Sequence, residues 1–190
     1  MIRKVKTKLS AEKEHITNLL KLSDFTEEDT YLEIGTRWGQ SLYAATTAND
    51  KMKIISVDVH QLPETRKFFG DRVQFMEFKS DQACRRLISH GTKISAAFID
   101  GDHSYEWAKK DAKACLKMFN GKGFIAGHDF TKRKGYGVMP AVSEVFGIDE
   151  IARIDRRWKV KGGEVHVMHT VWVFVSDEAM PKYKDYLDAL

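Results

Sequence analysis

The stretch SAAFIDGDHSYEWAKKDAKACLKMF, Ser95 to Phe119, decides the fold that we predict for this chain. Its first residues form a short apolar run that ends at Asp100, whereas the apolar residues after Ser104 recur at helical spacing. Asp102 and His103 stand between the two segments. A short buried strand that leads through a polar loop into a helix is one half of a βαβ unit. The stretch therefore indicates a parallel sheet.

The same alternation extends outward in both directions along the chain. Segments with helical spacing separate five runs that are rich in apolar or β-branched residues: TYLEIG, KIISVDV, VQFMEF, SAAFID and GFIAGHD. Successive units of this kind require a parallel sheet with helices on both faces. The pattern predicts an α/β fold with a Rossmann-like sheet.

The C-terminal part departs from this alternation. MPAVSEVFG predicts a helix with Pro140 in its first turn, and EIARID and TVWVFVS predict two further strands. No long helix precedes the last strand, so we expect it to pair antiparallel. The expected sheet has seven strands and is mostly parallel.

With 190 residues and 43% hydrophobic content, the chain is expected to form one domain, 1–190. Within it we predict an N-terminal helical cover over 1–28, with Ser10 as the N-cap of its helix. Ligand-binding βαβ units follow over 29–130. Residues 131–190 are expected to supply a flap loop, a helix and the C-terminal strand pair.

Composition excludes some function classes. The net charge of +4 arises from 31 basic and 27 acidic side chains, which does not favour a nucleic-acid partner. No apolar run approaches the roughly 20 residues that span a bilayer, so no membrane partner is expected. Cys84 and Cys115 lack metal-type spacing, and a cytoplasmic location is predicted. Basic clusters at Lys132–Lys134 and Arg156–Lys161 indicate either a solvated face or an anionic substrate.

The residues directly after the first strand predict a ligand-binding turn. Gly35 would let the backbone turn tightly, and the helix from Gly39 would direct free N–H groups toward a ligand. Thr36 and Arg37 lie within a G-x-x-x-G pattern, not the G-x-G-x-x-G of dinucleotide enzymes, which argues against a pyrophosphate. An ordinary tight strand-to-helix turn is the alternative interpretation.

Acids and hydroxyls follow the next two strands. Asp58 lies 23 residues after Gly35 (58 − 35), where a carboxylate can accept ribose hydroxyl hydrogen bonds, and Val59 follows it. Ser80 and Asp81 come after the third strand and can bond an adenine edge, although Asp58 and Asp81 can equally cap helices. Their order along the chain predicts a nucleoside site.

These segments together resemble a known family. The most informative are YLEIGTRWGQS, the acid in SVDV, FIDGDHSYE, and KGFIAGHDF followed by GVMPAV. They look like a small class I S-adenosylmethionine-dependent methyltransferase, of the type related to antibiotic-tailoring sugar O-methyltransferases and cephalosporin-hydroxylase-like proteins. The resemblance covers roughly Tyr31 to Glu144. It implies a seven-stranded sheet of five parallel strands closed by a strand pair.

The resemblance also implies S-adenosylmethionine as cofactor, with a divalent cation, Mg²⁺ or Mn²⁺, as a further candidate. Glu33 and Gly35 would face the methionine end of the cofactor and Asp58 the ribose. Ser80 and Asp81 would face the adenine. Thr36, Arg37, Gly39, Val59 and Asp100 complete the predicted cofactor set.

A methyltransferase must also position an acceptor oxygen and remove its proton. Asp100 and Asp129 follow adjacent strands and can supply two carboxylates to a cation, while His103 is the candidate general base. The family carries an acidic pair where this chain has His128-Asp129. His128 is therefore named as the third candidate metal ligand, and its imidazole suits Mn²⁺, Fe²⁺ or Zn²⁺ better than Mg²⁺. The alternatives are a second base or structural role for His128, a surface role for His103, and a loop-stabilising role for Asp129. Asp102 and Ser104 are expected to cap the next helix.

The predicted function is O-methylation of a small-molecule acceptor, with a sugar or nucleotide-sugar as a candidate. The loop HDFTKRKGYG is expected to form a flap whose charge favours an anionic acceptor. Two alternatives stay open: a nucleic-acid methyltransferase, for which the chain has no added recognition domain, and a non-catalytic binder of S-adenosyl compounds. A nicotinamide enzyme is the least favoured.

Overall fold

The computed structural model describes residues 11–148 and 157–189, whose strands form one eight-stranded sheet. The strands are β1 (Thr30–Ile34), β2 (Lys53–Asp58), β3 (Gln74–Glu77), β4 (Ile94–Ile99), β5 (Phe119–Gly127), β6 (Arg157–Val160), β7 (Gly163–Met168) and β8 (Val171–Ser176). The helices are α1 (Ala11–Leu22), α2 (Gln40–Ala48), α3 (Pro63–Phe69), α4 (Ser80–Ser89), α5 (Tyr105–Met118), α6 (Val138–Phe146) and α7 (Met180–Asp188), and a 3₁₀ turn covers Gly70–Arg72. None of these helices is long and apolar enough to cross a membrane.

The strands lie in the order β3-β2-β1-β4-β5-β8-β7-β6. The first five in this sheet order are mutually parallel, and β8 runs antiparallel to β5. This confirms the predicted mostly parallel α/β sheet with an antiparallel last strand. Because the chain turns back between β1 and β4, the carboxyl ends of these two strands flank the point where the strand order reverses.

The predicted count of seven strands is corrected to eight in the described part of the chain. β6 and β7 form an antiparallel hairpin in which Val160 pairs with Gly163. Gly162 supplies the positive φ, +79°, that this two-residue turn requires. The sequence here was interpreted as a basic cluster, although buried Trp158 alternates with exposed Arg157 and Lys159 as in a strand. The expected strand EIARID and the expected N-cap Ser10 lie outside the described residues.

The sheet is covered on both faces, and β4 shows the alternation that this requires. Ala97 and Ile99 pack with the core side chains of α4, α5 and α6, whereas Ala96 and Phe98 pack with those of α1, α2 and α7. Cys84 lies in the first of these clusters, where burial raises the pKa of its thiol to about 12. A thiol that stays protonated is a core side chain and not a nucleophile.

Candidate active site

A cavity of about 660 Å³ lies beyond the carboxyl ends of β1, β2, β3 and β4. This edge, where the strand order reverses, is where open α/β sheets bind ligands, and the volume is typical of a small-molecule site. Eight predicted site residues line it, and each lies at the end of a strand or within four residues after it: Gly35, Thr36, Arg37, Asp58, Val59, Ser80, Asp100 and His103. Glu33, Gly39 and Asp81 are not among the lining residues.

The turn after β1 is shaped by Gly35. Its φ is +89°, and a Cβ at this position would lie 2.1 Å from the carbonyl oxygen of Asp100. The Gly35 N–H donates to the Val57 carbonyl at 2.9 Å, so the turn is bound to β2 as well. Gly39, with φ +71°, begins α2 and approaches the ring of Phe69. Gly35 is therefore required by the close approach of two backbone segments, and Gly39 by its positive φ and the nearby Phe69 ring. We call the loop between the two glycines the cradle.

Asp58, at the end of β2, holds this cradle in place. Its Oδ2 accepts the backbone N–H groups of Thr36 at 2.8 Å and Arg37 at 2.9 Å, and its Oδ1 accepts the N–H of His60 at 3.1 Å. Since a carboxylate has about four lone-pair positions, one acceptor position is left for a ribose hydroxyl, not the two that the sequence predicted. Val59 is 67% exposed and lines the cavity.

Glu33 is fully buried on β1, beside the cavity but not on its surface. Its Oε2 accepts the hydroxyl of Tyr31 at 3.2 Å, and its Oε1 has no partner within the described residues. Burial raises the pKa of Glu33 to about 8, and the nearby charge of Lys13 acts in the opposite direction. The carboxyl is therefore predominantly protonated at neutral pH.

Replacing Glu33 with glutamine is expected to make the free energy of unfolding fall less steeply than in the wild type as pH rises from about 5 to about 8. The folded-state pKa of about 8 lies above the usual 4.5, so unfolding releases a proton in this window and the free energy of unfolding falls with pH. Glutamine keeps the shape without titrating. Melting temperatures measured across this window check the prediction, with exposed Glu106→Gln as the control that should keep the wild-type profile. Identical profiles for Glu33→Gln and the wild type would contradict it.

The far side of the cavity is formed by the residues after β3 and by α5. Phe78 and Ser80 contribute from the first of these segments, and Trp107 and Asp111 contribute from the second. Asp81 does not cap α4, which has no side-chain cap, and its Oδ2 accepts from Arg85 at 2.8 Å. Its predicted contact with adenine stays a prediction, and Asp81 is not a lining residue of the cavity.

A second group of polar side chains adjoins the cavity through Asp100. His103 Nδ1 lies 3.3 Å from Asp129 Oδ2, and His128 Nδ1 lies 3.1 Å from the same oxygen and 3.6 Å from Asp100 Oδ1. We call Asp100, His103, His128 and Asp129 the reaction cluster. Asp100, His103 and Asp129 offer ligand atoms that all lie within 4.8 Å of one another. Two carboxylates and an imidazole at this spacing fit a divalent cation.

The backbone fixes the reaction cluster at the ends of β4 and β5. The Asp100 N–H donates to the Ile34 carbonyl at 2.8 Å, and the His128 N–H donates to that of Ile99 at 3.0 Å. Asp129 adopts φ +58°, the left-handed region that aspartate and asparagine tolerate best. Burial raises the pKa of Asp100, while the charge of His128 opposes this effect. The cluster is thus attached to the sheet by backbone hydrogen bonds, and its side chains are partly desolvated.

The segment predicted as a flap is attached to the reaction cluster. The ring of Tyr136 stacks on that of His103, with centroids 4.9 Å apart and planes inclined by 12°. The Gly137 N–H donates to the His103 carbonyl at 2.7 Å, and the Arg133 guanidinium lies 5.0 Å from the Tyr136 ring centroid. Lys132, Arg133 and Lys134 are exposed. Of the expected caps, Asp102 accepts the Ser104 N–H at 2.8 Å, whereas Ser104 makes no side-chain cap.

Several lining residues were missed from the sequence. Lys13 reaches the cavity from α1, and its Nζ lies 3.4 Å from Gln40 Oε1. Trp107 and Asp111 line the cavity from α5, for which the sequence predicts only an amphipathic helix. Lys13 carried no signal, because its approach depends on how α1 packs on α2. The polar Asp111, which is 2% exposed within the apolar pattern of α5, was the available clue.

Comparisons with known proteins give the same class of fold. A family model described as a methyltransferase domain matches residues 32–130. An uncharacterized protein, R132, of Acanthamoeba polyphaga mimivirus is 32% identical over 147 residues, which cover 69% of this chain and 66% of the viral protein. The chain thus spans just under two thirds of that relative.

Solved structures share the fold at low sequence identity. CalS11, described as a TDP-rhamnose 3′-O-methyltransferase of calicheamicin biosynthesis, has a TM-score of 0.62 and 14% identity, covering 86% of this chain and 76% of its own. The O-methyltransferase from Bacillus cereus in complex with SAH has a TM-score of 0.61 and 12% identity, covering 90% and 84%. MycE in complex with Mg and SAH has a TM-score of 0.60 and 13% identity, covering 88% and 55%.

The sheet order, the antiparallel strand beside β5 and the cavity at the strand reversal define a class I S-adenosylmethionine-dependent methyltransferase fold. The family model covers more than half of the chain. The protein belongs to the methyltransferase domain family.

Proposed function

We propose that this protein transfers the methyl group of S-adenosylmethionine to a hydroxyl of a small molecule. The proposal rests on one observation: Asp100 both lines the cofactor-sized cavity and belongs to the reaction cluster. A methyl donor in the cavity and an acceptor at the cluster would therefore meet at one residue. In-line transfer needs this proximity and needs no covalent enzyme intermediate.

The cavity residues have separate tasks in this proposal. The Gly35 turn and the N-terminus of α2 border the methionine end, and Asp58 accepts from a ribose hydroxyl with its remaining acceptor position. Val59 provides an apolar contact for the nucleoside. When bound, S-adenosylmethionine supplies an electrophilic methyl group on a sulfonium sulfur. The chain has only to orient it and to exclude water.

His103 is the proposed general base. As the new carbon–oxygen bond forms and the carbon–sulfur bond breaks, the hydroxyl proton passes to the His103 imidazole. Asp129, 3.3 Å from His103 Nδ1, would stabilise the imidazolium that forms. His128 is the second candidate, because its Nδ1 lies near both carboxylates and its Nε2 is 3.3 Å from Thr170 Oγ1. Loss of turnover in His103→Ala but not in His128→Ala would assign the base to His103.

In a second assignment, Asp100, His103 and Asp129 hold a divalent cation and His128 is the base. When bound there, it would orient the acceptor oxygen and lower its pKa. The imidazole ligand favours Mn²⁺, Fe²⁺ or Zn²⁺ over Mg²⁺. A cation coordinated by His103 would leave His128 as the base, so the two assignments for His103 exclude each other in one turnover.

We further propose that the acceptor is anionic, with a nucleotide-sugar as the leading candidate. Lys132, Arg133 and Lys134 are exposed on a loop whose Tyr136 stacks on His103, so a phosphate bound by this loop would lie close to the reaction cluster. CalS11, of similar fold, is described as acting on TDP-rhamnose, which supports this choice.

The test is transfer of a radiolabelled methyl group from S-adenosylmethionine to nucleoside diphosphate sugars, to neutral sugars and catechols, and to RNA. We expect label in the nucleotide-sugars. Labelling that survives EDTA treatment would leave His103 as the base, whereas loss after EDTA with recovery by Mn²⁺ above that by Mg²⁺ would assign His103 to the cation and His128 to the base. Labelling of RNA alone would replace the small-molecule proposal. S-adenosylhomocysteine binding without any transfer, across all acceptors and metals, would favour a non-catalytic binder.

A further inference from the structure

His103 lies in a loop, where burial alone does not fix its side chain. The side chain is 36% exposed, and its Nδ1 lies 3.3 Å from Asp129 Oδ2. A hydrogen bond at one nitrogen leaves an imidazole free to turn about that bond. Proton transfer and metal binding both need a defined ring plane, so a second contact has to supply it.

Tyr136 provides this second contact. Its ring stacks on the imidazole of His103, with planes inclined by 12° and centroids 4.9 Å apart, a geometry that aromatic pairs favour. Asp129 thus fixes the Nδ1 edge of the imidazole, and Tyr136 fixes its plane. The Nε2 edge is left on the opposite side of the ring, and His103 lines the cofactor cavity.

The backbone holds Tyr136 beside His103. The N–H of Gly137, the next residue, donates to the His103 carbonyl at 2.7 Å. A Cβ on Gly137 would lie 2.2 Å from the Tyr105 nitrogen, so this segment packs directly against the start of α5. The stacking contact therefore depends on the meeting of two backbone segments and not on the two side chains alone.

Arg133 contacts the Tyr136 ring from within the basic loop. The Tyr136 N–H donates to the Arg133 carbonyl at 3.1 Å, which closes a turn that contains Gly135 at φ +89°. The Arg133 guanidinium lies 5.0 Å from the Tyr136 ring centroid, and its Nη1 lies 3.5 Å from the Tyr136 hydroxyl. Tyr136 therefore connects the loop that the proposed anionic acceptor would contact with the imidazole that would act on it.

We propose that Tyr136 is a positioning residue, whose ring holds the His103 imidazole in the plane that turnover requires. The inference rests on the proposed methyl transfer, and it applies whether His103 is the base or binds the cation. A ring that only stacks on His103 affects the rate of the chemical step and not the binding of the cofactor. The ring face carries this role, so phenylalanine should retain it and leucine should not.

The test is steady-state kinetics of Tyr136→Leu and Tyr136→Phe with a nucleoside diphosphate sugar as the acceptor. Tyr136→Leu should lower kcat about ten-fold or more, while the affinity for S-adenosylhomocysteine stays within about two-fold of the wild type. Tyr136→Phe should keep kcat within about two-fold, because it can still stack on His103. The matched control is Tyr43→Leu, which removes a half-buried ring of α2 outside the cavity and should keep the wild-type kcat.

Four results of this experiment would overturn the role of Tyr136. They are an unchanged kcat in Tyr136→Leu, an equal loss in Tyr136→Phe, an equal loss in Tyr43→Leu, and a rise in the acceptor KM without a change in kcat. The last result would make Tyr136 a substrate-binding residue. Absence of methyl transfer by the wild type with every acceptor would instead defeat the proposed function.

Nuclear magnetic resonance of the imidazole protons gives a readout that does not depend on turnover. Because the His103 ring lies against the face of an aromatic ring, its proton resonances should be shifted upfield in the wild type and in Tyr136→Phe. They should return toward their usual positions in Tyr136→Leu, and His103→Ala identifies them by their disappearance. Resonances of His103 that stay unchanged in Tyr136→Leu would refute the stacking contact, whether or not the protein transfers a methyl group.

Discussion

Replacing Asp129 with asparagine is expected to lower the rate of methyl transfer about 10²- to 10³-fold while leaving the affinity for S-adenosylhomocysteine unchanged. The carboxylate contacts the imidazoles of His103 and His128 at 3.3 and 3.1 Å but does not line the cofactor cavity. Asparagine has nearly the same shape and tolerates the φ of +58°, so the fold should be unaffected. Single-turnover kinetics and calorimetry measure the two effects separately.

Asp50→Asn is the matched control for this experiment. Asp50 lies between α2 and β2, is exposed, and neither lines the cofactor cavity nor belongs to the reaction cluster. Its replacement should leave both turnover and cofactor affinity near the wild-type values. If Asp129→Asn kept full activity, the reaction cluster would have no part in catalysis. Mn²⁺ titration of both variants adds a second readout, since only the Asp129 variant should lose affinity for the cation.

The substitution Gly35→Ala is expected to abolish detectable S-adenosylhomocysteine binding and to lower the free energy of unfolding by about 2–4 kcal/mol. The new Cβ would lie 2.1 Å from the Asp100 carbonyl oxygen and 2.7 Å from the Gly101 nitrogen. These atoms belong to the backbone directly after β4, which is hydrogen-bonded to β1. They cannot move aside as a flexible side chain can. Chemical denaturation and calorimetry measure the two losses.

Gly135→Ala separates steric overlap from backbone strain. Gly135 has the same φ, +89°, but a Cβ there would meet nothing within 4 Å. The strain alone should cost about 1 kcal/mol and should leave cofactor affinity unchanged. Equal losses in the two variants would show that the left-handed conformation, and not the approach to Asp100, makes Gly35 necessary.

The features that could be predicted from the sequence are those with a local physical cause. Apolar runs that end in polar residues located the parallel strands, and ligand-facing residues at strand ends followed from the topology, as for Gly35, Asp58 and Asp100. The juxtaposition of Asp100 with Asp129 was also expected, because neighbouring parallel strands end at the same edge. The structure places ligand atoms of these two residues and of His103 within 4.8 Å of one another, whereas the sequence had named His128 as the third ligand.

The features that could not be predicted depend on contacts between distant segments. Lys13 reaches the cavity only because α1 packs on α2, and no pattern in the sequence specifies that packing. The Thr36 and Arg37 N–H groups donate to the Asp58 carboxylate because of the geometry of the turn after β1. The sequence does not reveal this geometry, so the prediction left Asp58 more free acceptor positions than it has. The β6–β7 hairpin was missed because its exposed charges obscured the alternation around Trp158.

The contact between Gly35 and the backbone of Asp100 has an evolutionary consequence. The turn that would hold the methyl donor is packed against the residue that would meet the acceptor, so neither can be rebuilt without disturbing the other. Proteins descended from this chain could not gain new acceptor substrates by changing the contact between Gly35 and Asp100. Changes in substrate range would have to accumulate in the basic loop around Arg133, which the proposed cofactor does not constrain.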